Sequence, residues 1–336
     1  LGPTGYGDSP YQSVSTFAGN PYFICLEDLI EKDLLTREEC ESCDWGGSES
    51  YVDYEKMYFS RYKLLRKAYE RADLKNDKEY AAFKKKEAAW LKDYCLFMAI
   101  KNDQNGVCWI EWPKELKDRT SKEVLKEEVR LAEEVEFYSF QQYCFTAQWE
   151  KLKSYANQKG IKIIGDVPIY VALDSSDAWA NPDMLQFDKD HTPKAVAGCP
   201  PDAFSATGQM WGNPLYDWKK LKATGYKWWV ERMSHCLKLY DVVRIDHFRG
   251  FDEYYAIPYG DKTAENGKWE KGPGLDLFHV LKKEIGELHV IAEDLGFLTK
   301  SVLEMLKDSG FPGMKVLQFA FDGSENSSYL PYKYEH

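Results

Sequence analysis

The segment "YDVVRIDHFRG", residues 240–250, begins with apolar residues and ends on four ionisable ones within six positions: Arg244, Asp246, His247 and Arg249. Side chains alternate along a strand, so Arg244 and Asp246 are expected on one face and Ile245 and His247 on the other. A guanidinium that close favours the ionised carboxylate, which suits Asp246 to attack an electrophilic carbon rather than to donate a proton. An isolated R-x-D also fits a plain buried ion pair. A second short apolar run, "HVIAEDLG", ends on Glu293 and Asp294, and alternation lets only one of them share the inner face. Carboxylates on facing strand ends are the equipment of glycoside cleavage: one attacks the anomeric carbon, and the other protonates the leaving oxygen and then deprotonates the acceptor.

Such acids need a scaffold that brings strand ends together. From residue 151 onward a helical stretch leads into an apolar strand four times: "KSYANQKG" into "IKIIGDVPIYV", "RMSHCLKLY" into "DVVRIDHF", "LFHVLKKEIGEL" into "HVIAEDLG", and "VLEMLKDSGFPG" into "MKVLQFAFDG". Alternating helices and apolar strands mark parallel βα units. Each strand ends in acid: Asp166, Asp246, Glu293 with Asp294, and Asp322. Active sites built from the C-terminal ends of several strands belong to a closed (β/α)8 TIM barrel. A doubly wound nucleotide-binding sheet should carry a glycine-rich first turn, and neither G-x-G-x-x-G nor G-x-x-x-x-G-K-[ST] occurs.

Upstream the texture differs. Residues 1–25, rich in Gly, Pro, Ser and aromatics, read as an ordered loop at the start of the catalytic domain. Residues 26–150 read as a mostly helical insertion, exemplified by "YFSRYKLLRKAYERA" at 58–72, and residues 151–336 as the barrel core. Leu125, Val129, Ala132 and Val135 step by four, three and three, which predicts one amphipathic helix with a capping box from Thr120 to Glu123.

The 336 residues are 44% apolar, which excludes general disorder, and the net charge of −11 with mixed signs gives no footprint for nucleic acid or an anionic membrane. No apolar run approaches a membrane span of about 20 residues, and the first residues lack a signal-peptide pattern. Eight cysteines without framework spacing suit free thiols in a reducing compartment, so the cytoplasm is expected. Cys40 and Cys43 form a lone C-x-x-C with no second pair at zinc spacing, so neither a metal nor a cofactor is expected. Aromatic residues make up 15% of the chain; they serve core packing or the flat faces of sugar rings, and composition alone does not choose.

Five segments, "GPTGYGDSPYQSVSTFAGNPY", "GDVPIYVALDSSDAW", "PPDAFSATGQMWGNPLYDW", "RIDHFRGF" and "IAEDLG", together resemble the amylomaltases, 4-α-glucanotransferases related to the α-amylases. The resemblance runs from residue 1 to about residue 332 and implies a (β/α)8 barrel with helical insertions. It makes Asp246 the nucleophile, Glu293 the general acid/base and Arg244 the residue that orients Asp246; Asp294 is then expected to face outward. Through the same resemblance His247 contacts substrate hydroxyls and Asp166 supports the sugar beside the nucleophile, although Asp166 by itself also fits a strand-end turn cap. Trp211 is implied as a stacking platform and Gln209 as a hydrogen-bond partner on a mobile loop covering the site. Asp202, Ser9, Tyr11 and Asp322 are implied as further substrate contacts.

The function so implied is retaining transfer of α-1,4-glucan segments through a covalent glucosyl-Asp intermediate. Its partners are malto-oligosaccharides and starch- or glycogen-derived glucans, with glucose among the acceptors. The same carboxylates would serve an α-amylase-like hydrolase, the choice depending on how well water is excluded, and a non-catalytic glucan-binding protein is the remaining alternative. In the family a third carboxylate lies in a T-H-D motif after the "YLP" segment, while this sequence ends at "YLPYKYEH" and starts on Leu1. That acid is therefore expected beyond His336 and two barrel strands before Leu1, and the segment alone is expected to leave strand edges open. Since carboxylates and Arg244 account for the chemistry without a metal, exhaustive chelation is expected to leave glucose release from maltotriose unchanged; activity restored only by a divalent ion would contradict this.

Overall fold

Helices occupy most of residues 26–158, and the spacing of their apolar residues decides which faces are buried. The computed structural model describes residues 2–202, 205–296, 298–321 and 327–334. Helix Tyr54–Arg71 turns Leu64, Leu65 and Ala68 inward, where they cluster with Phe137, Phe140 and Phe145 of the 27-residue helix Ala132–Gln158. Helix Ala88–Asp103 is apolar nearly all round and is sandwiched accordingly between Ala132–Gln158 and the short helix Ser176–Ala180. The stripe through Leu125 and Val129 is not the buried one. Helix Lys122–Arg130 ends at Leu131, whose non-helical backbone resets the phase, so Val124 and Leu131 go inward while Leu125 and Val129 stay exposed. The cap is Ser121, which accepts from the Val124 N–H at 3.1 Å, because Thr120 is held 2.7 Å away by Asp118 Oδ1 instead.

Among the described residues seven strands follow: β1 (Ile164–Val167), β2 (Ala195–Cys199), β3 (Gln209–Pro214), β4 (Val242–Ile245), β5 (Glu253–Pro258), β6 (Lys268–Lys271) and β7 (Val290–Ala292). β1, β4 and β7 form a parallel sheet in that order, with Asp166 opposite Arg244 and Ile245 opposite Ala292. Helices Lys227–Leu239 and Leu275–Ile285 precede β4 and β7 and pack together, so three of the four expected βα strands are present. The fold is mixed α/β. Gly165 lies buried in β1 under the Tyr240 ring, where a Cβ would stand 2.1 Å from a ring carbon.

Two expectations need correction. Among its described residues, 314–321, the segment "MKVLQFAFDG" forms no strand: residues 314–316 are irregular and Leu317–Phe321 is a 3-10 turn. It runs beside β7, where Pro312 C=O accepts from the Ala292 N–H at 2.9 Å, but the Met314 N–H is taken by Asp294 Oδ1 at 2.6 Å, diverting a donor that a strand ladder would use. Gln209 and Trp211 lie on no covering loop. They belong to β3 of a four-stranded antiparallel sheet ordered β3-β2-β5-β6, built from excursions that leave the parallel sheet after β1 and after β4.

The N-terminal segment is held by amide clamps. Gln142, fully buried in the long helix, accepts from the Gly19 N–H at 2.7 Å and donates to the Gly19 C=O at 2.9 Å; two turns on, Gln148 repeats the pattern on Cys25 at 2.6 and 3.1 Å. Each carboxamide replaces a peptide partner that the loop backbone otherwise lacks. Among the described residues no helix is long and apolar enough to cross a membrane. Replacing Gln142 by Leu strands two buried backbone groups and is expected to lower the stability of the fold by about 2–4 kcal/mol. Gln148→Leu, at an exposed clamp, should cost less than about 1 kcal/mol, and urea denaturation of the two variants checks the difference.

Candidate active site

The parallel register stacks the strand-end charges on one face. Asp166 of β1 stands beside Arg244 of β4, and the ladder continues past both strands: the Asp246 N–H donates to Val167 C=O at 2.9 Å and the Glu293 N–H to Ile245 C=O at 3.0 Å. Asp166, Arg244, Asp246 and Glu293 therefore gather across three adjoining strands. Arg244 joins them. Its Nη1 donates to Asp166 Oδ1 at 2.5 Å, its Nη2 to Asp246 Oδ1 at 2.9 Å, and its Nε lies 3.2 Å from Met314 Sδ. Tyr11, from the clamped N-terminal segment, donates to the other Asp166 oxygen at 2.7 Å.

His247 departs from the expected alternation. Ile245 points into the core, fully buried, but His247 adopts a left-handed backbone (φ 53°, ψ 48°) that turns its ring out of Ile245's company. The ring meets Trp211 edge-on at 4.8 Å, and both line a cleft of about 340 Å³ with Ser9, Tyr11 and Asp246. The same bend aims the His247 peptide N–H at Glu293 Oε2, 2.8 Å away, while the Leu295 N–H holds Oε1 at 2.7 Å. Among the described residues His247 Nε2 has no hydrogen-bond partner.

Burial dominates the electrostatics. Asp246 is raised above the usual carboxylate range, chiefly by desolvation; Arg244 opposes this and Asp166 adds to it, so the guanidinium moderates the rise rather than reversing it. Glu293 is likewise raised by burial, against the pull of its two backbone donors. Burial pushes His247 down to about 4, with Arg249 helping, which keeps the imidazole neutral. Tyr11 is pushed up to about 12 by burial and by Asp166, so it stays a donor. For Arg244 desolvation works against the charge, yet the two carboxylates outweigh it and hold the proton more firmly than usual.

Residues 1–336 match the family model described as 4-alpha-glucanotransferase. The chain belongs to that family. It is 52% identical over 336 residues to a 4-alpha-glucanotransferase of Clostridium butyricum, covering all of this chain and 69% of that protein. It is 47% identical over 339 residues to one of Thermus thermophilus, covering 99% of this chain and 67% of the other. The amylomaltase of Streptococcus agalactiae, solved in complex with acarbose, superposes on it with a TM-score of 0.96 at 37% identity, covering 100% of this chain and 68% of that one. The chain thus spans about two thirds of the length of these relatives.

In this member of the 4-alpha-glucanotransferase family, Ser9, Tyr11, Trp211, Asp246 and His247 line the cleft, with Arg244, Asp166 and Glu293 beside it. Gln209 is not a lining residue; its Oε1 accepts from Trp211 Nε1 at 3.1 Å. Asp202 lies outside the cleft, and its Oδ1 accepts from the Ser205 N–H at 2.8 Å. Asp322 lies outside the described residues. Asp294, expected to face outward, is buried, and its Oδ1 accepts from the Met314 N–H at 2.6 Å. Gln12 and Asn213 escape the sequence reading: Gln12 Nε2 donates to Trp211 C=O at 3.0 Å and to Asn213 Oδ1 at 3.2 Å, tying the N-terminal segment to β3. No periodic signal marks them in the sequence, because Gly212, at φ 76°, breaks the alternation of the β3 run.

A carboxyl whose folded pKa is raised contributes stability that is present below its unfolded value and lost as pH rises through the folded one. Asp246→Asn removes that loss. The stability of the variant relative to the parent is therefore expected to grow from acid to neutral pH, followed by urea denaturation across that range; a gap that shrinks toward neutrality would show that Arg244 outweighs burial.

Proposed function

We propose that this chain transfers α-1,4-glucan segments by a retaining double displacement. The observation that carries the reading is the single guanidinium joining Asp166 and Asp246, with Glu293 one strand over on the same face. Asp246 attacks the anomeric carbon as the bond to the leaving oxygen breaks and Glu293 gives that oxygen its proton; in the return step Glu293 takes the proton of an acceptor hydroxyl, whose oxygen displaces Asp246. Burial suits Glu293 to hold a proton, and the paired Arg244 is what keeps Asp246 available as an anion. His247, neutral, offers a hydrogen bond to a sugar hydroxyl, and Trp211 beside it offers an apolar ring.

The (β/α)8 barrel is the architecture that this reading adopts. β1, β4 and β7 serve as adjoining staves, and the excursions after β1 and β4 are βα loops at the C-terminal face. The helical residues 26–150 are an insertion on that scaffold, between the loop of 1–25 and the barrel core of 151–336. Malto-oligosaccharides and starch- or glycogen-derived glucans are the donors and glucose an acceptor; the acarbose complex of the Streptococcus agalactiae relative supports a saccharide ligand. Eight free thiols suit the cytoplasm.

Transfer predicts that maltotriose yields glucose together with longer glucans, whereas only shorter sugars would mark a hydrolase. Asp246→Asn is expected to reduce this turnover by about 10⁴-fold or more. Glu293→Gln is expected to cost about 10²–10⁴-fold on maltotriose while sparing the first step with a glycosyl fluoride donor, whose leaving group needs no proton. Equal failure on both donors would assign the acid to another residue.

A further inference from the structure

A second cavity, of about 260 Å³, opens between helices Ala88–Asp103 and Lys227–Leu239 and the short helix Ser176–Ala180. None of the strand-end acids lines it. Its walls are Phe17, Trp90 and Trp228, with Trp90 and Trp228 packed around the Phe17 ring at 6.2 and 6.3 Å. Glu87 and His235, both nearly buried, stand among them. His235 Nε2 lies 2.8 Å from the Phe17 carbonyl oxygen, an acceptor only, so Nε2 carries the proton of the neutral ring. Nδ1 then presents a lone pair toward Glu87 Oε2, 4.0 Å away. Trp90 Nε1 donates to that oxygen at 2.7 Å, which leaves its remaining lone pair for the cavity. Two acceptors face each other without a donor between them.

The protein does not supply that donor readily. A second proton on the ring is disfavoured by burial above all, with Lys238 and Lys86 working in the same direction and Glu87 against. The other acids around the cavity are engaged: Asp93 by Arg119 at 2.7 Å, Asp177 by the Thr16 N–H and hydroxyl at 2.8 and 2.7 Å, and Glu231 by Lys227 at 3.8 Å. Neither Glu87 nor the neutral ring brings a donor to the other, and Lys86 and Lys238 at the rim oppose a cation there. Trp228 presents its ring, and not its Nε1, to the cavity: that atom is buried and has no partner among the described residues.

We propose that this cavity, which none of the strand-end acids lines, binds one neutral pyranose, a free monosaccharide of the glucose type. Its hydroxyls donate to Glu87 Oε2 and His235 Nδ1, and its carbon face packs on the aromatic walls. The volume lies below the roughly 300–1,000 Å³ of drug-sized ligand sites, which fits a single ring and not a glucan chain. The site shares no lining residue with the catalytic cleft, so it stands or falls apart from the catalytic reading.

Imidazole nitrogen NMR of the full chain tests it, with D-glucose titrated to tens of millimolar, the weak-affinity range expected of one sugar ring. His235 resonances are assigned from the spectrum of His235→Asn, and His247 reports the catalytic cleft separately. The expected result is a saturable shift of His235 Nδ1. In Glu87→Gln the carboxamide can donate to Nδ1 from within, so the apparent affinity at His235 is expected to fall at least tenfold while maltotriose turnover stays within about twofold. The parent titration decides by itself, whether or not that variant folds. A His235 signal that glucose leaves unmoved, one that methylammonium moves equally, or one that shifts only in step with His247 would overturn the proposal.

Discussion

Everything at the site depends on one guanidinium shared by two carboxylates. Arg244 reaches Asp166 across the β1–β4 boundary and Asp246 along its own strand, so a single cation ties the ends of adjacent strands while compensating two partly desolvated acids. Removing Arg244 would leave two carboxylates uncompensated, a cost larger than the interaction itself, whereas removing either acid leaves a one-to-one pair. The bridge works because parallel register puts Asp166 and Arg244 opposite each other. A slip of one residue would send Arg244 to the core side.

Around that bridge the fold spends backbone geometry rather than extra charge. The left-handed turn at His247 costs on the order of 1 kcal/mol for a non-glycine residue, and it achieves two things at once: the imidazole reaches Trp211, and the peptide N–H reaches Glu293. Arg232 acts similarly from below. Buried between Trp228 and Trp229, it donates to the carbonyls of Pro168 and Ile169 at 2.5 and 3.0 Å, holding the chain just past β1 where the cleft begins. The excursions after β1 and β4 then meet as one antiparallel sheet, and Gln12 links it to the N-terminal segment.

Burial and function pull in opposite directions here. Asp246 and Glu293 are each raised by desolvation, so each costs stability at neutral pH, while half-burial is also what strengthens their interactions with a bound sugar. The clamps by Gln142 and Gln148 lie in the scaffold, away from this tension. They secure the segment that carries Ser9 and Tyr11 without adding charge.

Much of the layout of the strand-end acids is legible in residue order. Strand-end acids after apolar runs locate Asp166, Asp246 and Glu293, because a parallel βα unit presents the C-terminal end of each strand at one face, and the five segments carry the family. Other features are decided only in three dimensions. The choice between Glu293 and Asp294 rests on register with β4, which strand parity alone leaves open. His247 escapes the alternation rule because that rule holds only while the backbone stays extended, and the turn that breaks it is a local backbone state chosen by tertiary contacts. Trp211 reads as loop because its strand pairs with β2, whose hydrogen bonds are long-range and leave no periodic trace in a six-residue run broken by glycine and proline. The net rise of Asp246 is of the same kind: a neighbouring Arg is written in the sequence, but the depth of burial that outweighs it is set by packing.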